Sequence, residues 1–185
     1  MEEYTFNVHR HRFAAWCAAS ASGASSKCRF SVELGVKLME KAGLPDWLEN
    51  LPSAATFDAE HARMRERLAQ CASTARLYGA FSHGIAAKMI NCYLKAALIG
   101  QERVSNYIHP PIDRILVAAL RKADVGEPGS YIWTEINKQG GWSNMTSQLY
   151  EDAIARIKQL RPGALWAIEE YWIGYQTRKA KPSLT

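Results

Sequence analysis

The sequence predicts an all-α fold. Apolar residues recur three and four apart over most of the chain, alternating β-branched runs are nearly absent, and glycine or proline interrupts the periodic stretches. With 185 residues, of which 48% are hydrophobic and 22% charged, the chain can bury a core as a single domain, 1–185, and wholesale disorder is excluded. About seven or eight helices fit this length.

In chain order, Phe13, Trp16 and Cys17 begin an i, i+3, i+4 face behind Asn7, which can act as an N-cap. The small-residue stretch 18–26 (AASASGASS) reads as a helix end followed by a loop. Leu34, Leu38 and Met39 continue the helical pattern until Gly43-Leu44-Pro45, a stop signal. A polar-rich helix is expected over Asp58–Leu77, then a break at Gly79 and Ser82-His83-Gly84, then a helix over Ile85–Ile99. Pro110-Pro111 opens a helix through Arg121, since proline suits a first turn. Glycines and a proline between Gly126 and Gly141 mark an irregular segment, and two helices, Thr146–Leu160 and Ala164–Tyr175, close the chain.

The charge balance is 23 Lys and Arg against 18 Asp and Glu, net +5, which is compatible with a nucleic-acid partner without requiring one. The alternating Arg63, Arg65 and Arg67 and the tail residues Arg178, Lys179 and Lys181 also read as a solvated helix face and a frayed terminus. The longest apolar run, Ile115–Leu120, is too short to span a bilayer, so no membrane partner is expected. Cys17, Cys28, Cys71 and Cys92 form no C-x-x-C pair and read as reduced thiols of a cytoplasmic protein. Trp and Tyr crowd the last third of the chain, where most would pack the closing helices and some could stack on a planar ligand.

Two residues carry chemistry. Lys88 falls on the stripe Ile85, Met89, Cys92, Ala96, Ile99, whereas Asn91 and Lys95 fall partly on the opposite side. Such a lysine either snorkels from the edge of the apolar face or is a partly desolvated amine of the kind nucleophilic lysines need. Asp113 falls in the first turn of the helix opened by Pro111, where a carboxylate meets orphan N–H groups and stays ionised.

The run Gly84-Ile85-Ala86-Ala87-Lys88 resembles the hairpin G-[VI]-G-x-K of helix-hairpin-helix DNA glycosylases. Pro111-Ile112-Asp113, 25 residues after Lys88, resembles the P-x-D that holds their aspartate. The similarity covers about 77–121 and is greatest to the 8-oxoguanine glycosylase/lyase branch and its compact bacterial members, some of them antiphage enzymes acting on hypermodified bases. The resemblance implies an all-α helix-hairpin-helix core and a DNA N-glycosylase that flips a modified base out of double-stranded DNA. In it Lys88 is the nucleophile on C1′, with attendant lyase activity, Asp113 steadies the sugar cation, and no cofactor or metal takes part. DNA contacts are implied for His83, the amides of Gly84, Ile85, Ala86 and Ala87, and Arg114. Trp166, Tyr171 and Trp172 are candidates for the wall that stacks the flipped base, a glucosylated cytosine if the antiphage branch is the relative. Ala86 departs from the second glycine, His83 stands where the family often has proline, and the β-domain of larger members has no room here.

Two other readings stay open. A non-catalytic DNA-binding module would use Arg10, Arg12, Arg63 and Arg67 on phosphates, with Lys88 as one more cation. Arg76 and His83 match the loose R-x4–6-H spacing of HEPN ribonucleases, which requires both on one continuous helix. His9 and His11 form H-x-H without the further ligands zinc needs.

Overall fold

A computed structural model describes residues 4–23, 25, 28–77 and 80–172. Among these residues there are nine α-helices, two 3-10 helices and no strand. Helix α1 (Phe6–Ser22) is capped by Thr5, whose hydroxyl accepts from Val8 N, two residues earlier than Asn7 would place the cap. Its faces are the reverse of those the sequence suggests. Ala14, Ala15, Ala18 and Ala19 are buried, while Phe13 and Trp16 are more than half exposed. The alanines let neighbouring backbones come close: a Cβ at Gly35 of α2 (Val32–Lys41) would lie 2.7 Å from the Ala19 Cβ.

Gly43, in the left-handed region at φ +78°, stops the chain after α2 as expected, but Leu44-Pro45 then opens a short helix, α3 (Leu44–Glu49). Helix α4 spans Phe57–Thr74 and α5 spans His83–Leu98, capped by Ser82. The one-turn helix α6 (Glu102–Ser105) leads to a stretch without regular secondary structure over 109–113, and α7 spans Arg114–Ala123. This corrects the expected start: Pro110 and Pro111 precede the helix, and Asp113 is its N-cap. The irregular segment hides α8 (Tyr131–Lys138), followed by a 3-10 helix at Trp142–Asn144. Helix α9 (Ser147–Leu160) has its Thr146 cap, and the last helix is a 3-10 turn series, Leu165–Tyr171. Gly79, Tyr175 and the basic tail lie outside the described residues.

Two apolar clusters share α5. Ile85, Ala86, Met89, Ile90, Tyr93 and Leu94 face α1, α2 and α4, whereas Ala87 belongs with α7, α8 and α9. A buried polar cage ties the two together. Asn91, fully buried on α5, donates to Tyr150 Oη at 3.0 Å and to the Pro110 carbonyl at 2.9 Å, and its Oδ1 is 2.8 Å from His61 Nε2. Tyr150 Oη is also 3.0 Å from His109 Nδ1, and the Arg65 guanidinium lies 4.5 Å over the Tyr150 ring while bonding Glu151 at 2.6 Å. Asn91 is thus core rather than surface, and the cage anchors the stretch that carries Asp113. Farther out, buried Asp124 accepts from Trp133 Nε1 at 2.7 Å and pairs with Arg156, fastening α8 and α9 to the end of α7.

Candidate active site

On α5 the residues Lys88, Cys92, Lys95 and Ile99 follow one another at spacings of four, three and four, hence along one side of the helix. This side is the least covered: Lys88, Cys92 and Lys95 are half-buried and Ile99 is exposed, whereas Ile85 and Met89 are wholly buried. Lys88 therefore sits at the margin of the apolar face, and Lys95 shares its side rather than opposing it. The Lys88 Nζ lies 4.1 Å from the centroid of the Trp142 ring and has no ion-pair partner among the described residues.

Asp113 caps the start of α7. Its Oδ1 accepts from Leu116 N at 2.8 Å and its Oδ2 from Trp172 Nε1 at 3.0 Å, which fixes both carboxylate oxygens. Burial pushes the Cys92 thiol up to about 11, the Lys88 and Lys95 ammoniums act downward, and the Glu169 and Asp113 carboxylates act upward. Lys88, Cys92 and the Lys95–Glu169 ion pair share one side of α5.

Next to Trp172 opens a cavity of about 820 Å³, lined among others by Lys95, Pro111, Trp166, Glu169 and Trp172. Its size suits a ligand rather than a single water. The Trp166 indole is oriented by its N–H bond to Asn106 Oδ1 at 2.9 Å. Tyr171 is a correction, because its ring is not part of the cavity lining and stacks with the Arg161 guanidinium 5.0 Å away.

The amide grip expected at the start of α5 is also corrected. Gly84, Ile85, Ala86 and Ala87 are buried, Gly84 N donates to the Met145 carbonyl at 3.1 Å, and Ile85 N donates to Ser82 Oγ. A Cβ at Gly84 would sit 1.9 Å from the Trp142 carbonyl oxygen, so this glycine admits the 142–145 segment rather than a phosphate. That segment is what sets Trp142 under Lys88. His83 is half-buried 3.8 Å from Glu66, with burial first and Arg65 second lowering its pKa. Arg114 is exposed beside Asp113 without an ion pair among the described residues.

Of the remaining cations, Arg10 pairs with Glu49 and Arg63 with Glu60, while Arg12 lies over the Tyr4 ring and Arg67 is exposed. Arg76 lies just past the end of α4 at φ 64° and His83 begins α5, so the continuous helix of the R-x4–6-H reading is absent. No group of three or more His, Cys, Asp or Glu among the described residues could hold a metal ion. Sequence reasoning passed over Trp142, the Lys95–Glu169 pair and the polar cage. Comparison with protein-family models, curated proteins and solved structures finds no match.

Proposed function

We propose that this protein is a DNA N-glycosylase of the helix-hairpin-helix kind, in which Asp113 and Lys88 act on one flipped nucleotide. The observation that carries the reading is the doubly held Asp113 carboxylate, whose partner Trp172 lines an aromatic-walled cavity together with Lys95, a residue on the Lys88 side of α5. A carboxylate that need not reorganise is suited to positive charge developing on a sugar. The Lys88 amine, once neutral and off Trp142, attacks C1′ with its lone pair. The C1′–N bond breaks as the base departs with the bonding electrons and takes a proton. Loss of the amine proton and opening of the sugar ring then give the Schiff base from which strand scission proceeds. Trp166 and Trp172 form the wall against which the extruded base stacks, and Arg114 stands where it can meet a phosphate. A modified base is the substrate class, with repair or phage defence as its setting.

A second reading, a DNA-binding module without chemistry, is favoured by one observation: Lys88 lies over an indole face, the arrangement of a cation rather than of a free amine. One experiment separates the two. The purified protein is incubated with plain, 8-oxoguanine, uracil and hypermodified-cytosine duplexes, and released base is measured by mass spectrometry. The glycosylase reading expects one duplex to lose base, and that loss to vanish in Asp113→Asn while DNA binding persists. Binding with no release from any duplex, and a salt slope reduced by about one counterion in Lys88→Gln, would support the module instead.

A further inference from the structure

We propose that the outer face of α1 docks onto an anionic lipid surface. A membrane was not among the partners the sequence suggests; the reversal of α1's faces introduces it. This inference does not depend on the base-excision reading. Tyr4, Phe6, Phe13 and Trp16 are 55–77% exposed, and Phe6, His9, Phe13 and Trp16 follow one another at spacings of three and four along one side of the helix. An outward row of aromatics over a helix about 25 Å long, on a domain whose alanines took the inward positions, is a surface made to be covered.

The charges select the occupant. Helix α1 carries no carboxylate of its own. Arg12, at the edge of the row, and Arg29, which shares a shallow groove with Gly23 at its far end, have no ion pair among the described residues. A second copy docked through the same helix would bring no α1 carboxylate to Arg12. A duplex would offer phosphates to the arginines but nothing apolar to Phe6 and Phe13. The Phe13 and Trp16 rings lie 6.3 Å apart and tilted by 35°, touching each other rather than leaving a slot for a base. Aromatics flanked by arginine on a convex helix fit the boundary between lipid headgroups and acyl chains. No helix among the described residues is long and apolar enough to cross a membrane, so the contact is peripheral.

The face is also placed to leave the Lys88 side of α5 uncovered. Tyr93, which meets His11 of α1 at 2.9 Å, is five residues from Lys88 and hence about 140° around α5. A chain docked through α1 keeps Lys88 and Asp113 turned away from the bilayer.

The test is co-sedimentation of the full chain with phosphatidylcholine vesicles and with phosphatidylcholine–phosphatidylserine vesicles. Trp fluorescence is read in parallel and sedimentation velocity gives the oligomeric state. Binding to the phosphatidylserine vesicles alone is expected, with a blue-shifted emission that Trp16→Ser removes. Phe13→Ser with Trp16→Ser should lower partitioning by about tenfold or more, and Arg12→Gln with Arg29→Gln by several-fold, with unchanged helical circular dichroism. No binding to either vesicle overturns the proposal, as does binding that the aromatic pair of substitutions leaves unchanged. So would a dimer that Phe13→Ser with Trp16→Ser dissociates, since a second copy would then own the face, and so would duplex DNA affinity lost in the same variant.

Discussion

Two neighbouring positions on α5, Lys88 and Asn91, three residues apart, hold polar groups under opposite conditions. Asn91 is wholly buried and its amide meets His61, Tyr150 and the Pro110 carbonyl, so its polar atoms are answered from within the protein. Lys88 is half-buried, lies over the Trp142 ring and has no carboxylate partner among the described residues. Buried polar groups that satisfy one another define a unique packing. A half-exposed cation over a single ring specifies its surroundings far less. Asp113 is linked to both: the cage anchors the stretch that leads to it through Pro110, and its own carboxylate is held by Leu116 N and by Trp172, which lines the cavity.

The largest effect should come from removing the Asp113 charge. Asp113→Asn retains a capping oxygen for Leu116 N, so it should cost only about 1 kcal/mol of stability while lowering base release by on the order of a thousandfold. Single-turnover release beside a thermal melt checks both halves. Equal losses in the two would place Asp113 among the structural groups and erase the contrast.

On the cage side the expectation is reversed. Asn91→Leu strands His61, Tyr150 and the Pro110 carbonyl in the core and should cost about 3 kcal/mol, read by urea denaturation. Whatever activity remains per folded molecule should change far less than in Asp113→Asn.

How much of this was legible in the sequence follows from which forces wrote it. The helical class, the Gly43 stop and the Ser82 neighbourhood as a break all rest on local spacing and backbone chemistry. The faces of α1 did not read correctly, because large apolar residues normally go inward, whereas here alanines gain more by bringing α1, α2 and α5 close. Helix α8 was hidden because glycines on both sides mask an eight-residue helix. The cage was within reach: His61 and Arg65 lie on the stripe of Phe57, Met64, Leu68 and Ala72, polar residues in an apolar row just as Lys88 is. What spacing could not supply is their partners, since His109, Tyr150 and Glu151 come from distant parts of the chain. Trp142 was equally invisible, its place under Lys88 resting on the space that Gly84 leaves.

Acid should weaken the cage before it touches anything else. His61 is held neutral by burial first, then by the charges of His109 and Arg65, and burial likewise lowers His109 against the pull of Asp58. A histidine whose folded pKa is depressed leaves stability intact above its unfolded value, near 6.5, and removes it as the pH falls below that value, because only the unfolded chain takes up the proton. His83, lowered by burial, adds in the same direction. Asp58, held well below the ordinary carboxylate range by His109, remains ionised throughout and contributes nothing in this window. The midpoint of thermal unfolding should therefore drop steadily from pH 7 to pH 5, and less so in His61→Asn. A flat profile over that interval would mean that the cage opens to water and is not the sealed counterpart of the Lys88 site.

The smallest effect completes the contrast. Lys88→Gln removes a cation that lies over the Trp142 face, a contact worth about 0.5–1 kcal/mol at a half-exposed site. The loss is offset by the easier placement of an uncharged side chain at the margin of the apolar face. Stability should consequently change by less than about 1 kcal/mol, and the fluorescence of Trp142 should shift as its cation leaves. If the urea midpoint fell as far as in Asn91→Leu, Lys88 would be holding the 142–145 segment against α5. Its site would then be a second cage, with nothing left over for a substrate.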